Sequence, residues 1–306
     1  MAHDIAVNVA SEGKRGITFE NMVKVTECLP LSTGDLIKKA LGDDSLPQAL
    51  KIAHVNCQSL MSTFDEFQAI FSSADLHCIL VSETWLTPSL PSSLVSLSGY
   101  SLYRNDRLGK RGGGVGIYIR DNIRVKMLSQ SEGEYNKETE YLTLELSFRF
   151  QKVLLAVAYR PQGASFNNFE NNITKFIGQY QHIFVLGDFN YNLMSHSAEI
   201  QNFRDVLSSW NLEILPLEPT CRAGSSESWL DVIATCNPEN VLHCGQSPVP
   251  GLRSPHDVIF FSYAITAPKY KPKEITYRDI KRIDENELNN DAASTPWFLV
   301  DLFLLV

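Results

Sequence analysis

The stretch 153–190, VLLAVAYRPQGASFNNFENNITKFIGQYQHIFVLGDFN, decides how the rest of the chain is read. Its two apolar runs, Val153-Leu154-Leu155-Ala156-Val157-Ala158 and His182-Ile183-Phe184-Val185-Leu186, have the length of buried strands, and each is closed by polar, Gly or Pro residues. Between them Phe166, Phe169, Ile173, Phe176, Ile177 and Tyr180 recur at three- and four-residue spacing, which builds one apolar helix face. The order strand, helix, strand predicts an α/β core.

The same texture runs outward in both directions. Lys51-Ile52-Ala53-His54-Val55 and His77-Cys78-Ile79-Leu80-Val81 are further buried strands, and Phe64, Phe67, Ile70 and Phe71 lie on one helix face between them. Thr139 to Phe148 alternates, with Leu142, Leu144 and Leu146 against Tyr141, Thr143 and Glu145, as in antiparallel sheet. Gly114 to Ile119, then Asp121-Asn122, then Ile123 to Met127 reads as a hairpin. Both textures fit a four-layered α/β sandwich, two mixed β-sheets packed face to face with helices outside.

Three segments follow: residues 1–50 as a leader with one helical pattern (Leu36, Ile37, Ala40, Leu41), 51–266 as the domain, and 267–306 as a polar connector with a short apolar tail. The leader has no assigned role. At 306 residues and 44% hydrophobic content, the chain can bury a substantial core.

The net charge of -8 excludes a broad basic surface for nucleic acid, so any such contact is local or cation-assisted. The six cysteines have no CxxC or CxxxC spacing, which argues against a zinc site and for reduced thiols. No signal-peptide pattern and no membrane-length apolar run occur, so the expected protein is intracellular, not secreted, and makes no membrane contact. The sequon Asn172-Ile173-Thr174 is read as coincidence, because Ile173 belongs to the buried helix face.

Acidic, amide and imidazole residues stand where apolar runs stop: Asn56, Glu83, Asp188 with Asn190, Asp231 and His256. Any one of these is equally well a turn residue; together, at strand ends, they make a candidate site. Oxygen donors of this kind select a hard cation, Mg2+ or Mn2+, and disfavour zinc. A cation beside a carboxylate and an imidazole is the equipment of phosphodiester hydrolysis.

In the order His54-Val55-Asn56-Cys57-Gln58-Ser59-Leu60, Ser82-Glu83-Thr84-Trp85, Arg111-Gly112-Gly113-Gly114-Val115, Tyr159-Arg160-Pro161, Gly187-Asp188-Phe189-Asn190, Pro219-Thr220, Trp229-Leu230-Asp231 and Ser254-Pro255-His256-Asp257, the chain resembles the endonuclease/exonuclease/phosphatase superfamily. Within it, the chain is most similar to the apurinic-endonuclease-like endonuclease domain of non-LTR retrotransposons, over about residues 51–264. The segment Tyr277-Arg278-Asp279 to Pro296-Trp297 resembles the connector ahead of a reverse transcriptase, and the chain contains no polymerase.

The resemblance implies a Mg2+-dependent, DNA-nicking endonuclease without a small-molecule cofactor, acting in the nucleus if DNA is its substrate. It makes Glu83 the principal metal ligand with Asn56 beside it, Asp188 the residue that aligns or activates water with Asn190 adjacent, and Tyr159 a contact to the phosphate. It makes His256 the stabiliser of the phosphate, oriented by Asp231. Thr220, Arg111 and Arg222 are candidate substrate contacts, and Arg104, Arg107 and Lys110 are further loop cations. The chain departs from the family at Pro255, where Ser-Asp-His is usual, so one carboxylate is missing and a backbone donor is lost beside His256. Two alternatives stand beside the endonuclease: a decayed or domesticated element fragment without catalysis, and a phosphatase or exonuclease of the same superfamily.

Overall fold

The computed structural model describes residues 32–42, 49–148, 151–265 and 285–294. The polar N-terminal stretch, Tyr277-Arg278-Asp279 and the apolar tail Pro296–Val306 lie outside the described residues. Helix Glu285–Ser294 belongs to a second compact unit, residues 269–306, apart from the unit 1–268 that holds the sheets.

The first sheet is built from β1 (Leu50–Asn56), β2 (Cys78–Ser82), β3 (Tyr100–Asn105), β4 (Val115–Arg120), β13 (Val241–Ser247) and β14 (Val258–Tyr263) in the spatial order β13-β14-β1-β2-β4-β3. The second contains β5 (Arg124–Gln130), β6 (Glu140–Phe148), β7 (Gln151–Tyr159), β8 (His182–Asp188), β9 (Glu213–Ile214) and β12 (Asp231–Thr235) in the order β5-β6-β7-β8-β12-β9. A hairpin of β10 (Cys221–Ala223) and β11 (Ser226–Ser228) stands apart.

In each sheet one pair is parallel, β1 with β2 and β7 with β8, and the remaining pairs are antiparallel. The parallel pairs are those joined by helices, α2 (Phe64–Ser73) and α3 (Asn167–Ile177), because a parallel return needs a crossover. Helix α1 (Thr33–Ala40), capped by the Ser32 hydroxyl, buries Ile37 with Phe67 and Phe71 of α2, and α4 (Ala198–Ser209) covers the second sheet through Ile200, Phe203 and Leu207.

Strand periodicity sorts the apolar residues into layers. Ile52, Leu80, Ile117, Leu144, Leu155, Val157, Phe184, Leu186, Ile233 and Ile259 fill the space between the sheets. Ala53, Val55, Ile79 and Val81 face α1 and α2, while Leu154, Ala156, Ile183, Val185 and Val232 face α3 and α4. These are the four layers expected from the sequence.

The expected hairpin over 114–127 is corrected. β4 pairs with β2 and β3, β5 pairs with β6 in the opposite sheet, and the Asp121-Asn122 turn carries the chain across the sandwich. Ile119 and Ile123 both sink into the inter-sheet core, and that burial outweighs the local turn preference.

Candidate metal and phosphodiester site

The alternation that fills the core also builds the site. On β1 the inner face runs Ile52, His54, Asn56; on β2 it runs Leu80, Ser82; on β8 Phe184, Leu186, Asp188; on β12 Ile233, Asp231; on β7 Leu155, Val157, Tyr159. At one end of the sandwich the inner residues turn from apolar to polar. Register places Tyr159 opposite Asp188 and Asp188 opposite Asp231 in one row, and Asn56 opposite Ser82 in the facing sheet.

Asn56, fully buried, spans the two sheets: its Nδ2 donates to Glu83 Oε1 at 3.0 Å and to Asp188 Oδ2 at 2.8 Å. Its Oδ1 accepts from Gln58 N at 3.2 Å, which fixes the amide's direction. Glu83 follows the last residue of β2, and its other oxygen accepts from Trp85 Nε1 at 3.0 Å. Asp188 Oδ1 accepts from Asn190 N at 3.0 Å, and the Asn190 side chain is turned away to Arg160 O at 2.9 Å.

His256 enters from the loop before β14. Its Nδ1 is 2.8 Å from Asp231 Oδ2 and its Nε2 3.9 Å from Asp188 Oδ2. Burial disfavours the imidazolium, and the Asp231 carboxylate with its hydrogen bond, aided by Cys221 and Asp188, outweighs that and holds His256 well above the usual histidine range. Burial likewise works against ionised Asp231, and the charge of His256 overcomes it, so Asp231 is held below the usual carboxylate range. Asp188 moves the other way: burial and then the neighbouring Asp231 raise it. Tyr159 is raised first by burial, then by Glu83 and Asp188, so its phenol stays protonated.

One expected substrate contact, Thr220, is corrected, and Arg222 is exposed with acidic partners. Thr220 is fully buried; its hydroxyl donates to Asp231 Oδ2 at 2.7 Å and accepts from Asp231 N at 3.0 Å, so it braces the carboxylate rather than meeting a phosphate. Arg222 is engaged by Asp257 at 2.6 Å and Glu227 at 3.3 Å. Asp257 Oδ2 accepts from Arg222 and, at 2.9 Å, from Gln246 Nε2, so that oxygen is already engaged.

Of the other loop cations, Arg104 pairs with Asp106 at 3.3 Å, and Arg107 is buried against Glu140, whose second oxygen accepts from Gly114 N at 2.6 Å. Gly112, Gly113 and Gly114 all have left-handed φ, which lets this loop run close to Arg107 and Trp85. Lys110 and Arg111 remain exposed at its tip, over the rings of Tyr135 (4.3 Å) and Trp85 (5.3 Å).

The donor set fits a hard cation. Glu83 presents a partly exposed carboxylate at the mouth, backed by Asn56 and Asp188, while Asp188, Asp231 and His256 bring ligand atoms within 4.8 Å of one another. Within that trio the Asp231–His256 hydrogen bond already engages Asp231 Oδ2 and His256 Nδ1. Trp85 and Ser82 have no role expected from the sequence, and His54 falls in a motif without a function; the period-2 faces starting at Ile52 and Leu80 are the signals that could have found His54 and Ser82.

The chain is similar in fold to the endonuclease domain of TRAS1, a telomere-specific non-LTR retrotransposon (14% identity, 72% of this chain and 100% of that one, TM-score 0.55). It is similar to the AP endonuclease LMAP of Leishmania major (13%, 78% and 100%, TM-score 0.58) and to an AP endonuclease of Archaeoglobus fulgidus (15%, 71% and 100%, TM-score 0.55). A comparison with curated protein sequences gives no match. The profile described as Endonuclease/Exonuclease/phosphatase family matches residues 53–267, which is most of the chain and contains each strand of the two sheets from β2 to β14 and the second half of β1. With the fold and the polar inner face in agreement, the chain belongs to the Endonuclease/Exonuclease/phosphatase family.

Proposed function

We propose that this chain is a divalent-cation-dependent phosphodiester hydrolase that nicks DNA, of the kind found in non-LTR retrotransposons. The observation that carries the reading is the convergence of Glu83, Asn56 and Asp188 with a His256 imidazole that Asp231 holds at 2.8 Å.

Glu83 would hold a Mg2+ or Mn2+ ion, with Asn56 keeping its carboxylate in place. Such an ion would supply neutralisation of charge on the phosphate oxygens. Asp188, raised by burial and Asp231, is suited to take a proton from water aligned beside it, and its Oδ1 is kept in place by Asn190 N. His256, charged and oriented by Asp231, stabilises the negative phosphate, and the protonated Tyr159 phenol donates to it. Lys110 and Arg111 meet the DNA backbone next to Glu83. If DNA is the substrate, the protein acts in the nucleus. Among the described residues no helix is long and apolar enough to cross a membrane.

Pro255 favours a second reading, a folded but non-catalytic element fragment, because it deprives the site of a carboxylate. A third keeps the chemistry on another phosphoester; one fold neighbour is the 3' phosphatase NExo of Neisseria, bound to a product DNA hairpin. Nicking of supercoiled plasmid separates these. Purified protein is expected to nick with Mg2+ and not with EDTA, and Glu83→Ala and His256→Ala are expected to abolish nicking. Failure of the parent chain alongside nicking by Pro255→Asp supports the decayed fragment; failure of both, with release of phosphate from a 3'-phosphorylated hairpin, supports the phosphatase.

A further inference from the structure

His54 has no part in the proposed chemistry, yet it is fully buried in the polar column between the sheets. Its Nε2 lies 3.0 Å from Ser82 Oγ, and its Nδ1 faces Asp231 Oδ1 at 3.7 Å. Among the described residues neither Nδ1 nor Oδ1 has a hydrogen-bond partner at normal distance. Two buried atoms of opposite polarity, each otherwise unpaired, therefore face each other, and leaving both unmade costs free energy.

A carboxylate oxygen accepts and never donates, whereas the Ser82 hydroxyl can do either. One neutral tautomer satisfies both neighbours: Nδ1–H directed at Asp231, with Nε2 accepting from Ser82. A closure of roughly 0.7 Å brings Nδ1 to the ordinary N–H···O distance. The other oxygen of Asp231 is held by His256 Nδ1 and Thr220 Oγ1, at 2.8 and 2.7 Å. With Oδ2 alone held, the carboxylate can turn about its Cβ–Cγ bond; with Oδ1 held as well, its plane is fixed.

We infer that His54 is a positioning residue, donating Nδ1–H to Asp231 Oδ1 and thereby fixing the carboxylate that aims His256. This chain depends on that contact because the residue before His256 is proline, and because Asp257 is turned to Arg222 and Gln246. The effect on turnover rests on the hydrolase reading; the hydrogen bond does not.

The test uses the full chain with His54→Asn, His54→Gln and His54→Leu. Asn places an amide N–H where Nδ1 was, toward Asp231. Gln places one where Nε2 was, toward Ser82. The first readout is the His256 Nδ1 proton resonance in protein with 15N-labelled histidine. It is expected to persist in the parent and the Asn variant and to be lost to exchange in the Gln and Leu variants. In the nicking assay kcat is expected to fall about 10–100-fold for Gln and Leu at unchanged KM, with Asn close to the parent. Any other order, Gln matching the parent above all, overturns the inference. If the parent does not nick, the hydrolase reading fails while the resonances still decide the role of His54.

Discussion

Pro255 locks its own φ and has no N–H, yet its carbonyl accepts from Arg222 N at 2.9 Å, and Arg222 in turn grips Asp257, the residue after His256. The loop is thus fastened on both sides of the histidine, which keeps its 2.8 Å contact to Asp231. The substitution removes a charge from the site rather than displacing the imidazole. Pro255→Asp is therefore expected to tighten Mg2+ binding about tenfold or more and raise nicking at limiting Mg2+, read from a Mg2+ titration of the nicking rate. Backbone strain also gathers here. Gln58, Ser59, Glu83, Trp85 and Asn190 all have left-handed φ, five of the eight non-glycine residues described in that region. Ser59, at φ 91°, meets Glu83 through its backbone, its N donating to Glu83 O at 2.9 Å, a bond that glycine retains. Ser59→Gly is expected to stabilise the protein by about 1 kcal/mol in urea denaturation and to leave nicking unchanged.

Among the elements, β8 is the most constrained, since it delivers Asp188 at its end. A Cβ at Gly187 would lie 1.9 Å from Ala158 O on β7, a backbone atom that cannot yield without parting the strands. Gly187→Ala is expected to cost about 3 kcal/mol or more, lowering the midpoint of thermal unfolding and abolishing nicking together. The loop between β3 and β4 tests the DNA contact. Its buried cation Arg107 is already paired, so replacing both Lys110 and Arg111 by Ala is expected to lower the salt slope of DNA binding by about 2 without altering the melting temperature. Legibility differed among the elements. α2, α3 and β6 could be read because each has one repeating face. β4 and β5 could not be separated into different sheets, because partner choice is long-range and a two-residue polar turn looks the same either way.

For the molecule as a whole, two histidines, the fully buried His54 and the half-buried His77, shape acid stability. His54 and His77 are both lowered to about 4, chiefly by burial. His77 Nδ1 accepts from Lys51 N at 3.1 Å, an interaction that protonation there would turn into donor against donor. In the unfolded chain histidine titrates near 6.5, so the unfolded state takes up protons first as pH falls. Stability is therefore complete above about pH 6.5 and declines toward pH 4, by up to about 3 kcal/mol for each histidine. His77→Asn, which retains an acceptor for Lys51 N, is expected to flatten that decline in urea titrations at stepped pH. His256 has the opposite sign: its raised value favours the fold below the ordinary histidine range and loses that contribution as pH rises through its folded value.

The sequence by itself determined the layers, because strand and helix periodicities are local and each apolar face must be buried. It also named most of the polar strand ends, Asn56, Glu83, Asp188, Asp231 and His256, since polar residues interrupt those periodicities where the core stops. Tertiary structure alone decided which of them meet. Residues as far apart as Asn56 and Asp188, or His54 and Asp231, come together only through the packing of one sheet on the other. It also decided which cations remain available: Arg107 is buried in an ion pair with Glu140, Arg222 is paired with Asp257 yet exposed, and Lys110 and Arg111 are exposed.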